Sequence, residues 1–436
     1  MEPATLAGLI LLIGIIIGMA FSVPIAVVIG SVSFLAAIPL LGLQEAALIS
    51  AQQMFTGINS FPLLAIPLFV LAGVIMNNGG IAGRLVDAAK VVTGRMPASM
   101  AQTNVVANGL FGSVSGAAVA SAAAVGTVMT PRMTQEGYDR RFSASVNIAS
   151  APAGMLLPPS NTFIVYALVS GTSIAALFMA GVVPGILWAL ACMVVVFLYA
   201  MRQPGRLRTT ERVGFTQALK VLVRALPSLL MIVIVVGGII AGYFTATESA
   251  AIAVVYCLVL SAFYRTIRVR DLPQILVDAG RTTAIVMLLV GVSTVLSFVL
   301  SFARIPPLIS DVVLGLTDSE IVVLLLMMAV LIMIGTFMDP TPAILIFVPI
   351  FLPIALEFGI SPVHFGTMVV MNLSLGVITP PIGNVLFVGA RVARLRIEPV
   401  IGRLWPFLLA ILVALLLVVF IPELSLTLPR LTGLME

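Results

Sequence analysis

The chain has 436 residues, of which 61% are hydrophobic and only 9% charged, with a net charge of +5 and a single His. A soluble domain carries about 25% charged residues, so this composition excludes an ordinary soluble enzyme and predicts an all-α polytopic membrane protein. The basic excess sits in a few Arg-rich stretches and reads as membrane topology, not nucleic-acid binding.

Residues 4–40 are apolar throughout, longer than the roughly 20 residues one span needs. They are two spans broken near Ser22 and Pro24, or one long bent helix. The start, Met1-Glu2-Pro3, lacks the basic segment of a cleaved signal peptide and is expected to stay as the first span. Residues 44–60 are less apolar and are expected along the interface. Phe61–Asn78 is a span, followed by a charged loop with Arg84, Asp87, Lys90 and Arg95. Residues 97–131 can enter the membrane and return, and their centre is GSVSG, 112–116. Such a Gly/Ser kink suits a re-entrant hairpin whose non-helical tip faces protein or water. Residues 142–170 form a span interrupted at Pro158-Pro159, and 178–201 another span. The most basic stretch, 202–224, sets Arg202, Arg206, Arg208, Arg212, Lys220 and Arg224 against Glu211.

The second half opens with spans over 226–244 and 248–264, a basic interfacial piece over 265–281 and a span over 284–302. A second hairpin, 318–354, has its tip near 335–342. A second interrupted span, 364–390, carries Pro380-Pro381, and a basic loop precedes the last span, 404–421. Cys192 and Cys257 sit in apolar runs and read as packing residues.

Pro131, Gly137, Gly154, Pro158, Pro159 and Pro184 each recur as the same residue type 222 positions later. Because Gly and Pro set backbone breaks, six matches at one offset mark a duplication. Charge sets its orientation, since Lys and Arg gather in cytoplasmic loops. The loop with Arg132, Arg140 and Arg141 matches one holding only Glu357 and His364, whereas uncharged 170–176 matches Arg391, Arg394 and Arg396. The stretch with Arg84 and Arg95 likewise matches one with Arg304, Asp311, Asp318 and Glu320. Partner loops therefore lie on opposite sides, and the repeats are inverted, as in many secondary transporters.

Hairpin tips and helix breaks free backbone groups from the helical ladder. Carbonyls and hydroxyls there suit a dehydrated Na⁺, and N–H groups at half-helix N-termini suit an anionic substrate. The first cluster comprises Ser113, Ser115 and Gly116 with Pro158, Ser160, Asn161 and Thr162. The second comprises Gly335, Thr336, Asp339 and Thr341 with Thr379, Pro380, Gly383 and Asn384. Any single Ser or Thr reads first as a helix back-bond; the concentration at paired breaks is what points to binding. Asp339 is either a functional intramembrane carboxylate or a solvated residue at the hairpin mouth. Glu248 is a site residue or a helix N-terminal acid favoured by the dipole. No order of Ser, Asp and His makes a hydrolase site, and no G-x-x-x-x-G-K-[ST] loop carries ATP chemistry. The protein is expected to be no enzyme and to take its energy from an ion gradient or from a partner; an intramembrane hydrolase or a channel is the rival.

FPLLAIPLFVLAG (61–73), GSVSGAAVASAAAVGTVMTPRM (112–133), LLPPSN (156–161), TATESAAIAVVY (245–256) and ITPPIGN (378–384) carry a further signal. Through them the chain resembles, along essentially its whole length, the large membrane subunit of tripartite ATP-independent periplasmic (TRAP) transporters. The resemblance implies a Na⁺-coupled importer of organic acids (C4-dicarboxylates, sialic or other sugar acids) in the bacterial inner membrane, with no organic cofactor. It implies two partners, a small four-helix membrane subunit and a soluble periplasmic substrate-binding protein; a stand-alone Na⁺/anion symporter is the alternative. It further implies an elevator motion, with 97–171 and 318–390 as transport domain and 1–96, 172–317 and 391–436 as scaffold. Substrate contacts are then expected at Ser115, Ser160, Asn161, Thr379 and Asn384. Na⁺ ligands are expected at Ser113, Ser115, Gly116, Pro158, Gly335, Thr336, Asp339, Thr379 and Gly383.

Overall fold

The computed structural model describes residues 3–21, 23–202, 215–308 and 319–435. All regular elements among them are helical. Among the described residues eight helices are long and apolar enough to cross a membrane, and the pair Arg140–Leu156 and Asn161–Ser170, bent by 44°, makes a ninth if taken as one span.

Helices α1 (Pro3–Ala20) and α2 (Ile25–Leu41) fold back on each other, with Gly14 against Val32 and Gly18 against Val28. The first apolar run is therefore two helices, and the single bent helix is excluded. Helix α3 (Leu43–Ile58) leads through a 3-10 turn, Phe61–Leu64, into α4 (Ala65–Asn78). The charged loop expected next is instead an amphipathic helix, α5 (Ile81–Thr93). Its Ile81, Leu85, Ala88 and Ala89 form a buried stripe at helical spacing, which outweighs the charges on its other face.

Hairpin 1 is α6 (Ser99–Ser115) and α7 (Ala118–Gln135). The interrupted span is α8 (Arg140–Ser150), the short α9 (Ala153–Leu156) and α10 (Asn161–Ser170), and α11 (Ile174–Met201) closes the half. The second half runs α12 (Phe215–Ile240), α13 (Ala246–Tyr264) and α14 (Leu272–Phe302), then hairpin 2 as α15 (Glu320–Phe337) and α16 (Pro340–Glu357). Helices α17 (Pro362–Gly376) and α18 (Asn384–Val392) are the second interrupted span, followed by α19 (Glu398–Phe420) and α20 (Glu423–Leu431). Adding 222 to the bounds of α7 returns those of α16, and adding it to α2, α6 and α10 lands within one residue of α13, α15 and α18. One departure is plain: α3 and α4 are separate, whereas their counterpart α14 is one helix of 31 residues.

Contacts at the two ends place partner loops on opposite faces. At one end Arg132 pairs with Asp87 at 3.0 Å, Arg403 with Asp139 at 3.6 Å, and Arg140 Nη2 donates to Ala393 O at 2.9 Å. At the other, Tyr166 Oη donates to Pro362 O at 2.7 Å and His364 meets Ser425 on α20. The Arg-rich turns thus share one face, and the matching turns around Ser170 and Glu357 share the other. Arg206, Arg208, Glu211, Arg212, Asp311 and Asp318 lie outside the described residues.

Two packed groups of helices result. Helices α1–α4 and α12–α14 interlock across the repeat, with α2 on α14 and α13 on α4. Helices α6–α11 and α15–α20 form the other group. In it α11 packs on α6, α8 and α9, and α19 packs on α8, α11 and α17. By packing, α11 and α19 therefore sit with the hairpins and interrupted spans.

Candidate substrate and ion site

A helical carbonyl at position i waits for the N–H of residue i+4, and proline has none. Pro159 therefore frees Met155 O. Ser160 Oγ and Thr162 Oγ1 take its place, the latter at 3.2 Å, and the two hydroxyls lie 2.7 Å apart. Pro380 and Pro381 free Gly376 O and Val377 O, which accept instead from Thr379 N at 2.9 Å and Val385 N at 3.1 Å. Both proline pairs contain a cis peptide bond. Ser160 also caps α10, accepting from Phe163 N at 3.4 Å.

Each hairpin tip meets the break of its own half. Gly116, at φ +61°, ends α6, and a Cβ there would lie 2.9 Å from Asn161 Nδ2, so the Asn161 amide rests on the tip. At the second tip, Gly383 N donates to Thr336 O at 3.0 Å. Just below each tip the hairpin crosses the interrupted span backbone to backbone. A Cβ on Gly154 would lie 2.1 Å from Gly112 Cα, and one on Gly376 would lie 2.5 Å from Gly335 Cα. At Gly112, Gly154 and Gly376 only glycine allows that approach, whereas a Cβ on Gly335 would stand 3.0 Å from Gly376 Cα.

Among the expected residues the structure sets Gly116 against Asn161 and Thr336 against Gly383. Ser113 and Ser115 stand at the first hairpin tip and Pro158, Ser160 and Thr162 at its break, while Gly335 and Asp339 stand at the second tip and Thr379 and Asn384 at its break. Ser113 Oγ, Thr336 Oγ1 and Thr379 Oγ1 donate to Leu110 O, Met333 O and Leu375 O at 2.9, 2.7 and 2.7 Å. They are back-bonded, yet a hydroxyl that gives its proton to a carbonyl keeps its lone pairs for a cation. Ser160 is fully buried, and its hydroxyl is spent ordering the break. Asp339 stands at the tip itself and not at the hairpin mouth; it is exposed and caps α16, accepting from Thr341 N at 3.3 Å. Glu248 closes a capping box with Thr245 on α13, the dipole-favoured reading. His364 commits both ring nitrogens, to Ser425 Oγ and Val419 O.

The junctions differ in cover. In the first, Pro158, Pro159 and Ser160 are buried, with α11 over them: Gly181 sits against Leu156 O and Gly185 against Leu157. In the second, Pro381 and Ile382 are exposed and Thr379, Pro380 and Asn384 half-buried.

Sequence reading missed a polar layer inside the first hairpin body. Asn108 Nδ2 lies within hydrogen-bonding distance of Asn104 Oδ1, Asn147 Oδ1, Asn147 O and Ser150 Oγ, between 2.8 and 3.2 Å. Ser121 Oγ donates to Asn108 Oδ1 at 2.8 Å, and Asn147 Nδ2 to Ala122 O at 2.8 Å. All five side chains are at most 1% exposed. An unpaired buried amide costs about 1–3 kcal/mol, so amides four apart on an apolar helix, Asn104 and Asn108, were a signal that partners exist.

A family model, the tripartite ATP-independent periplasmic transporter, DctM component, matches residues 12–424. YgiK, an uncharacterized protein of Salmonella typhimurium, is 50% identical over 414 residues, covering 95% of each chain. The C4-dicarboxylate TRAP transporter large permease protein DctM of Pseudomonas aeruginosa is 39% identical, covering 88% of this chain and 90% of its own. The crystal structure of the Alcanivorax borkumensis YdaH transporter superposes with a TM-score of 0.63 at 14% identity, covering 96% of this chain and 98% of that one. That likeness concerns the fold.

Proposed function

The chain belongs to the DctM-component family of TRAP transporters, a multi-pass large permease subunit of the inner membrane, and from that membership we propose that it imports a small organic acid by Na⁺-coupled elevator transport. The observation that carries this reading is the pair of inverted junctions, each a hairpin tip seated on a proline break. At each, helix N-termini and freed oxygens converge, suiting a carboxylate and a cation side by side.

Na⁺ enters as cargo, held by neutral oxygens around Ser113, Ser115, Gly116 and Pro158 and around Gly335, Thr336, Thr379 and Gly383, with Asp339 beside the second. The substrate carboxylate meets Ser115, Asn161 and Asn384, while Ser160 and Thr379 order the breaks on which those residues stand. Packing supports a moving body that holds α11 and α19 as well as the hairpins and interrupted spans, larger than 97–171 and 318–390. The frame is then α1–α4 with α12–α14. A C4-dicarboxylate is the first substrate to try, since the Pseudomonas relative is named for one. A small four-helix membrane subunit and a soluble periplasmic binding protein are the proposed partners.

The test is uptake of radiolabelled succinate, then other organic acids, into proteoliposomes holding the chain with its small subunit and binding protein. Uptake is expected under an inward Na⁺ gradient and is expected to vanish when K⁺ replaces Na⁺. Undiminished uptake in K⁺ refutes Na⁺ coupling. Uptake without the binding protein favours the stand-alone symporter.

A further inference from the structure

The two hairpins occupy equivalent places but are held differently. Asn108 lies seven residues before Ser115, about 10 Å down the helix, and Ser150 and Asn147 lie eight and eleven residues before Pro158. The Gly112–Gly154 crossing sits between these two levels. Helix α6 is thus tied to the interrupted span twice, once by touching backbones and once by amides. An amide has fixed donor and acceptor directions, so its bonds are met in a single register. Ser121 brings α7 into the same layer.

The positions 222 later hold Leu326, Val330, Ala343 and Val369 in place of Asn104, Asn108, Ser121 and Asn147. Only Ser150 has a polar counterpart, Asn372. Its Nδ2 turns back to Met368 O on its own helix at 2.7 Å, and its buried Oδ1 has no partner among the described residues. Leu326 is exposed and Val330 half-buried, and among the described residues no side-chain hydrogen bond ties α15 to α17 at this level. The hairpins differ accordingly: α6 and α7 lie along each other, whereas α15 and α16 diverge, α15 packing on α17 and α16 on α10 and α14.

We propose that the amide layer centred on Asn108 is a positioning device that fixes hairpin 1 over the first break, pre-forming that half of the site, and that hairpin 2, lacking the layer, is the half that adjusts when ion and substrate bind. Asn108 acts through Ser115 and Gly116 and touches no cargo. The inference rests on the transporter reading, but its first test needs no transport.

The experiment is hydrogen–deuterium exchange of the full chain in lipid nanodiscs, in KCl and across a NaCl titration. It compares the native protein with Asn104→Leu/Asn108→Val/Ser121→Ala/Asn147→Val, which gives hairpin 1 the residues of hairpin 2. Removing the three amides and Ser121 together avoids the orphaned amides that make Asn108→Ala prone to misfold, and Ser150, which is kept, has its hydroxyl bonded to Val146 O. In the native protein, peptides of 320–357 are expected to exchange faster than those of 99–135, and NaCl to slow the former only. In the variant, 99–135 should rise to the level of 320–357 while the other helices stay unchanged. The NaCl needed for half the effect should rise about tenfold. Equal exchange of the two hairpins in the native protein overturns the proposal. So does a variant whose hairpin 1 is unmoved, or one that loosens everywhere, which marks a merely structural layer. A native protein whose hairpins differ but ignore NaCl counts against Na⁺ coupling and overturns the adjusting role of hairpin 2, and the positioning role of the layer is then decided by the variant's exchange alone.

Discussion

The first junction is buried, roofed by α11 and underlaid by five interlocked polar side chains; the second is partly exposed and rests on apolar contacts. The two come from one duplicated plan, so the difference is not one of topology. It shows that a repeat can keep its Gly and Pro punctuation while changing what stiffens it. Backbone breaks place the oxygens, and the layer beneath decides how freely they move.

The sharpest way to break the comparison is at the glycine crossings. Gly154→Val should prevent accumulation of folded protein, because even a Cβ would stand 2.1 Å from a backbone atom. Gly335→Ala, whose Cβ would meet Gly376 Cα at 3.0 Å, should insert and lower Tm by several degrees, in line with overpacking costs of about 1–3 kcal/mol. Equal losses in a thermal-shift and size-exclusion assay would erase the distinction between the junctions.

Next come the prolines. Pro159→Ala and Pro381→Ala each return an N–H to a carbonyl that has found other partners, and uptake should fall at least about a hundredfold, a loss of roughly 2.7 kcal/mol in transition-state terms. Membrane levels should hold in both variants. Normal uptake in either detaches that break from transport.

Smaller effects separate charge from capping at the second tip. Asp339→Asn keeps a cap and should leave Tm unchanged, whereas Asp339→Ala should cost about 1 kcal/mol. If both variants lose Na⁺-dependent uptake while only the second loses stability, the carboxylate serves the ion; if Asp339→Asn transports normally, Asp339 is a cap. Least of all, reversing the exposed pair as Asp87→Arg with Arg132→Asp should shift Tm by an amount worth no more than about 1 kcal/mol.

Much of this was legible in the chain. Pro158-Pro159, Pro380-Pro381 and their constant offset located both breaks, and Arg turns facing uncharged ones gave the inversion. The Phe61–Asn78 span and the hairpin arms followed from apolar length. What escaped reading depends on neighbours distant in sequence. Helix α5 looked like a loop because Arg84, Asp87 and Lys90 interrupt a stripe that matters only once α6 and α12 cover it. The grouping of α11 and α19 with the hairpins required contacts across the repeat. Asn108 announced a polar need, but Ser121 and Asn147 lie 13 and 39 positions away. Exposure of the second break has no local signature, since the sequences around both proline pairs are alike.

The returning arm of each hairpin leans on the other half: α7 lies on α18, where Gly126 meets Val392, and α16 lies on α10. Half of this chain is therefore not half of a working site. A lone repeat would strip α7 of its contact with α18, and α10 of its contacts with α16 and α17. An unduplicated ancestor built this way would have needed a second copy inserted upside down beside it. With both copies in one chain, each can hold what the other lacks, as hairpin 1 holds an amide layer that hairpin 2 does not.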